Sequence, residues 1–368
     1  MEDDLRYKIG LALLPGVGPM TAKKLLTIAE SPAAVFNHPL HVLNHAKGVK
    51  KQILTSEQRN TALKNAQKEI EFTEKNGIKP LFFLDTDYPN RLRQCDDAPI
   101  MLYQQGEFNL DPDKIISIVG TRNSTLYGEK ICEKLISDLS GKYPDLVIVS
   151  GLAYGIDVCA HRAALKNNIK TVAILGHGLN LIYPAIHRKT AEQISQNGCL
   201  ITEFGITQTP DKRNFVQRNR IIAGLSVATI VIESGIQGGA LITADLANSY
   251  NRDVFTFPGR VGDPWSEGCH KLIKNNQAAL IESAEDLEYM LGWTTEKKSP
   301  AIQKQIFVEL SPDEETILTI LKEHDELSID HISIEANFPV SKTSSILLNL
   351  EFTGFIKSLP GNRYRYIP

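Results

Sequence analysis

One short stretch, Pro210–Arg220 (PDKRNFVQRNR), sets Lys212, Arg213, Arg218 and Arg220 against a single acid, Asp211, with Phe215 in the middle. Cations that neutralise phosphates and aromatic rings that stack on bases are the groups by which proteins hold single-stranded nucleic acid. A second informative cation stands in a turn. Val119–Gly128 (VGTRNSTLYG) follows the apolar run Ile115–Val119, as the loop of a nucleotide-binding strand–loop–helix does, yet Arg122 occupies a place where small residues are usual. The competing reading is a solvated basic loop, with Phe215 in a core and Arg218 or Arg220 in a structural ion pair.

Enzyme chemistry is sparse. The chain carries no G-x-x-x-x-G-K-[ST], H-E-x-x-H or G-x-S-x-G, and His161, His177, His187 and His270 lack ligand spacing. Asp157 and His161 fall on adjacent turns of one helical segment, where Asp157 serves to orient its own loop. Glu203 and Glu233 follow strand-like runs without a nucleophile beside them. Five scattered cysteines, Cys95, Cys132, Cys159, Cys199 and Cys269, read as free thiols of a reducing compartment. No catalytic residue, metal site or cofactor is expected.

The elements that must position Arg122 and Lys212 follow from hydrophobic pattern. Continuous β-branched runs (IISIVG, LVIVSG, KTVAILG, CLITEF, VATIVIES, DVFTFPG) alternate with helical segments, Tyr127–Leu139, Gly155–Lys166, Lys189–Gln196, Arg218–Leu225 and Ala240–Ser249. Such alternation predicts an α/β fold, a Rossmann-like, doubly wound, mostly parallel sheet. Its glycine-rich loops VGTRNSTLYG, SGLAYGID (Gly151, Gly155), GHGLNLIYP and ESGIQGGALIT then share the carboxyl edge, where exposed N–H groups form a nest for anions.

Around this core, residues 111–292, the pattern predicts a helical domain over 1–75, a connecting segment over 76–110, a polar linker over 293–310 and a winged helix over 311–368. In the first of these, LLPGVGPMTAKKLL resembles a helix–hairpin–helix. Gly16 and Gly18 would free N–H groups at a helix start, with Lys23 one turn on, as a secondary DNA contact. The last segment, Ala301–Pro368, holds ten acidic and six basic residues, and its would-be recognition helix offers Lys342 alone. That balance favours protein contact over sequence-specific DNA reading. Net charge is −3, so any anion site must be a local patch. With no apolar run of spanning length and no signal core in MEDDLRYKIG, a cytoplasmic protein without membrane attachment is expected.

Taken together, VGTRNSTLYG, VSGLAYGID, GHGLNLIYP, FVQRNRIIAGLS, GGALITADLA and FPG with SEGCHKLI resemble, in order, the motifs of the DNA-processing protein A (DprA/Smf) family. The resemblance implies a single-stranded DNA-binding protein that protects incoming DNA and helps load RecA recombinase in natural transformation. It also implies a homodimer formed through the Rossmann-like domain. Carried over by motif, Arg122 would contact phosphate, and Lys212, Phe215 and Arg218 would be DNA-binding residues of the loop leading into RNR. Gly120, Ser124 and Gly151 would shape the pocket floor. The chain departs from the family pattern at Val216, where proline is usual, at Gly238–Ala240, where SGS is usual, and at His270, where asparagine is usual. The first two alter loop geometry; the third withdraws whatever that amide would do. The alternative is a nucleotide phosphoribohydrolase of the lysine-decarboxylase-like type, whose P-G-G-x-G-T-x-x-E signature is unmet here. QGGALITADLA lacks the proline and has Leu246 at the glutamate's offset.

Overall fold

Helical periodicity in the first 75 residues becomes α1 (Glu2–Ala12), α2 (Pro19–Ala29), α3 (Pro32–Asn37) and α4 (Ser56–Lys75). Thr55 starts α4 with a reciprocal capping box to Gln58. The structure, a computed structural model, describes residues 2–37, 55–293, 310–324, 326–359 and 362–367, so most of the 293–310 linker lies outside the described residues. The chain divides into two units, Met1–Thr294 and Thr295–Pro368.

The connecting segment is more than a connection. It forms β1 (Ile78–Phe82), a short helix α5 (Asn90–Arg93) and β2 (Met101–Gln105), and both strands join the main sheet antiparallel, Phe82 opposite Met101 and Tyr103 opposite Thr202. Ile78, Phe82, Ile100, Met101 and Tyr103 are buried in the same core as Ile9, Leu25 and Ile70 of the helical domain. The helices therefore pack on this edge of the sheet, which makes the first 294 residues one unit.

The α/β pattern folds as β3 (Ile115–Val119), α6 (Leu126–Ser140), β4 (Val147–Ser150), α7 (Ile156–Lys166), β5 (Lys170–Ile174), α8 (Arg188–Asn197) and β6 (Cys199–Thr202). It continues through α9 (Lys212–Leu225), β7 (Ala228–Val231), α10 (Gly239–Ser249), β8 (Asp253–Thr256), α11 (Glu267–Lys274), β9 (Ala279–Leu280) and α12 (Ala284–Met290). The nine strands order as β1-β2-β6-β5-β4-β3-β7-β8-β9, with β3 to β9 all parallel. Strands β3, β4 and β7 are buried along their whole length, as expected where helices cover both faces. Strand order reverses between β3 and β7, and ligands of open α/β sheets bind outside the carboxyl ends at such a point.

The second unit is a winged helix: α13 (Pro312–Glu323), β10 (Leu327–Ser328), α14 (Ile329–Glu335), α15 (Val340–Phe352), β11 (Ile356–Leu359) and β12 (Arg363–Tyr366). Ser311 caps α13 in a capping box with Glu314, and Ile317, Leu321, Ile332, Leu347 and Ile356 form the core. The wing's turn residues, Pro360 and Gly361, lie outside the described residues.

Candidate nucleic-acid interface

A cleft of about 450 Å³ opens at the β3/β7 reversal. Gly120 and Arg122 line it from the loop after β3, Lys212, Phe215 and Asn219 from α9, and Thr243 from α10. Two sequence segments ninety residues apart thus bring their cations to one cavity.

The basic stretch, expected as a loop, is the first turns of α9. Asp211 caps the helix, its Oδ1 accepting from the Arg213 N–H at 2.8 Å. Helical spacing then sets Lys212, Phe215 and Asn219 on the flank that faces the cleft. Lys212 and Arg213 sit where the helix dipole disfavours positive charge, a local conflict of the kind found at functional sites. Asn219 was missed in the sequence; its place seven residues after Lys212 was the available signal.

Phe215 is half-buried and lies against Gly176, where an added Cβ would come within 2.7 Å of the ring. The guanidinium carbons of Arg122 and Arg218 stand 5.8 and 6.0 Å from its centroid, and the Tyr183 ring 5.6 Å. Contacts with two guanidinium groups hold the ring at the cleft wall.

Arg218 corrects an expectation. At 3% exposed it lies beneath the cleft, its Nη1 donating to the Gly151 carbonyl at 2.6 Å and to the Ile174 carbonyl. Burial pushes its guanidinium down to about 10. It braces the ends of β4 and β5 and supports Phe215 from below. Gly151 does not line the cleft either; any side chain there would occupy the Arg218 guanidinium's space. Ser124 is likewise turned away, donating to Glu129 Oε1 at 2.6 Å. Of the expected residues, the structure brings Gly120, Arg122, Lys212 and Phe215 together.

Asp157 lines the cleft, 7% exposed, its carboxyl raised by burial against the opposing pull of Arg218. His161 is fully buried, Nδ1 2.7 Å from Thr171 Oγ1, and burial drives it down to about 3, so it stays neutral. Glu233 is an anchor. Its carboxylate accepts from the Thr125 N–H at 2.9 Å and from Thr125 Oγ1 at 2.5 Å, while its carbonyl accepts from Thr121 N–H at 2.7 Å. These bonds fix the Arg122 loop to the end of β7. The Arg220–Glu203 ion pair is buried, as the structural reading of that arginine anticipated. Among the described residues no group of three His, Cys, Asp or Glu could hold a metal ion, and no helix is long and apolar enough to cross a membrane.

At the helical end, Gly16 has φ 73° and Gly18 caps α2 with Pro19 at its first position. Lys23, expected to face a phosphate, instead donates to the Asp96 carbonyl at 2.8 Å and the Cys95 carbonyl at 3.3 Å. In the winged helix, Lys342 pairs with Asp313 at 2.8 Å, and Arg363 and Arg365 pair with Glu326 at 3.1 and 3.6 Å. Internal acids thus engage Lys342 of α15 and Arg363 and Arg365 of β12.

Comparison with known proteins agrees with the motifs. The family model for DNA recombination-mediator protein A matches residues 79–292, and that for the DprA winged helix domain matches residues 304–362. The chain is 34% identical to Protein Smf of Escherichia coli (strain K12) over 334 residues, covering 84% of this chain and 86% of that protein. The X-ray structure of DNA processing protein A from Streptococcus pneumoniae superposes with a TM-score of 0.66 at 33% identity, covering 77% of this chain and 96% of that one. DNA processing protein A from Helicobacter pylori, whose structure describes a single-stranded DNA binding mode, superposes with a TM-score of 0.53 at 29% identity, covering 59% and 96%. On matches of this extent and identity, the chain belongs to the DNA recombination-mediator protein A (DprA/Smf) family, whose members process DNA.

Proposed function

We propose that the chain binds single-stranded DNA in the cleft at the β3/β7 reversal. The observation that carries this reading is the convergence of Arg122, Lys212 and Phe215 on one cavity. Arg122 and Lys212 neutralise backbone phosphates, main-chain N–H groups of the glycine loops supplement them, and Phe215 presents a ring edge or face to an unstacked base. In this reading Arg218 acts from below, holding the floor and Phe215 in place. Gly120 lets the Arg122 loop pack tightly on α7, since a Cβ there would meet Ile156 at 2.5 Å.

The chain then acts as a homodimer through its Rossmann-like domain, setting two clefts along one strand in the cytoplasm. It protects that strand and loads RecA recombinase onto it, the role in natural transformation that the family resemblance implies. Nucleotide hydrolysis is disfavoured because Asp157, the only carboxylate lining the cleft among the described residues, is buried near Arg218, and Leu246 stands where the hydrolase glutamate belongs. The test is a fluorescence-anisotropy titration with a single-stranded oligonucleotide and its duplex, alongside a nucleotide-release assay. Tighter single-strand binding without turnover is expected; equal affinity for both forms, or catalytic release of base, would overturn the reading.

A further inference from the structure

Helix α9 has a second flank. Asn214 and Gln217 face away from the first cleft and line another, of about 360 Å³, whose far wall is the Gly16–Gly18 turn. A glycine turn at a helix start invites a phosphate, but this cleft does not. Among the described residues no lysine or arginine lines it, whereas Glu203 does. The Glu203 side chain is nine-tenths buried; Oε2 accepts from Gln217 Nε2 at 3.1 Å and from Arg220, while Oε1 has no hydrogen-bond partner among the described residues. A buried carboxylate oxygen left so calls for a donor.

The remaining lining combines the exposed or half-buried apolar groups Leu13, Pro15 and Pro19 with the amides of Asn65, Asn214 and Gln217. Amides both donate and accept, and apolar walls suit a flat ring. A phosphate finds no cation among the described lining residues; a neutral heterocycle with an amino edge meets complementary groups. We propose that the cleft between the Gly16–Gly18 turn and α9 is a second nucleobase subsite. It takes adenine, cytosine or guanine, which carry an exocyclic amino group, in preference to thymine. The base comes from the same strand whose phosphates Lys212 holds on the opposite flank, about 10–12 Å away across one helix. This inference rests on the proposed single-stranded DNA binding in the first cleft.

An abasic walk along a single-stranded oligonucleotide tests it. Besides the nucleotides of the first cleft, one separate position is expected to lose about tenfold in affinity when its base is removed, the scale of one well-bonded base. At that position thymine should bind several-fold more weakly than cytosine. Gly18→Phe fills the cleft and should silence the position, because a Cβ at Gly18 meets nothing within 4 Å and its φ of −80° suits any residue. Asn214→Leu, on the half-buried surface of α9, should silence it independently. Absence of a second sensitive position, or its persistence in both variants, overturns the inference while leaving the first cleft standing. Unchanged affinity in Arg122→Ala with Lys212→Ala overturns the reading beneath it, and this inference with it.

Discussion

Replacing Arg218 by methionine separates a residue that supports the cleft from one that touches DNA. The guanidinium donates to two main-chain carbonyls, Gly151 and Ile174, and is the stronger of the two positive charges acting on buried Asp157. Methionine keeps much of the volume but leaves both carbonyls without this donor and removes the larger of the opposing charges acting on Asp157. A hydrogen bond from a charged donor contributes about 1.5–3 kcal/mol, so the two made by Arg218 set a scale of about 3–6 kcal/mol. Because these terms overlap, the expected loss is about 3–5 kcal/mol in total. At 3% exposure, solvent screening removes little of it. For a unit of this size, about 2 °C of Tm accompanies each kcal/mol, so Tm should fall by roughly 6–10 °C.

The loss should also depend on pH. Asp157, already raised by burial, rises further without Arg218, and a raised carboxyl favours the folded state most when protonated. The penalty should therefore shrink as pH falls from 7 towards 4. Denaturant melts at several pH values give both quantities, and single-strand titrations at several salt concentrations give a third. In the folded variant the salt slope should stay unchanged, because Arg218 lies under the cleft. A stability loss below about 1 kcal/mol, with a slope reduced by about 0.7, would show that Arg218 contacts a phosphate and would refute the reasoning.

Three further outcomes are expected. Glu69 is 3% exposed and accepts from the Ile206 N–H at 2.9 Å, and burial raises its carboxyl. Its raised folded-state value means stability is present at low pH and lost as pH rises, so Glu69→Gln should be at least as stable as the parent at pH 7, with the advantage shrinking towards pH 4.5 in urea melts. Gly155→Ala should cost about 2–3 kcal/mol in the same melts and weaken DNA binding, since Gly155 has φ 72° and a side chain there would strike the Thr121 and Arg122 backbone. Lys342→Ala with Arg363→Ala should leave single-strand affinity within about twofold in anisotropy titrations, because Asp313 and Glu326 already engage both cations.

Much of this architecture could be read from the chain. Runs such as Ile115–Val119 and Val147–Ser150 are apolar throughout because both faces of the sheet are covered, and that pattern survives without knowledge of neighbours. The pairing of β1 and β2 with the sheet could not be read the same way, since Tyr103 opposite Thr202 is a contact across ninety-nine positions with no local signature. The start of α9 was obscured by its own chemistry: cations at a helix N-terminus argue against a helix, although Asp211 was a legible cap. Arg122 and Lys212 stood out by type and place. Residue type alone does not separate an arginine above a cleft from one beneath it. The apolar residues Ile221, Ile222 and Leu225 that follow Arg218 mark the half of α9 that turns inward, and Arg218 goes with them.

The most direct test of the central claim is the salt dependence of single-strand affinity in Arg122→Ala with Lys212→Ala. Two lost phosphate contacts should lower the magnitude of the log–log slope by about 1.4, at about 0.7 per contact on a single strand. Affinity should fall with it while the melting curve stays close to the parent's, since both side chains are exposed. A folded double variant with the parent's slope and affinity would contradict the account.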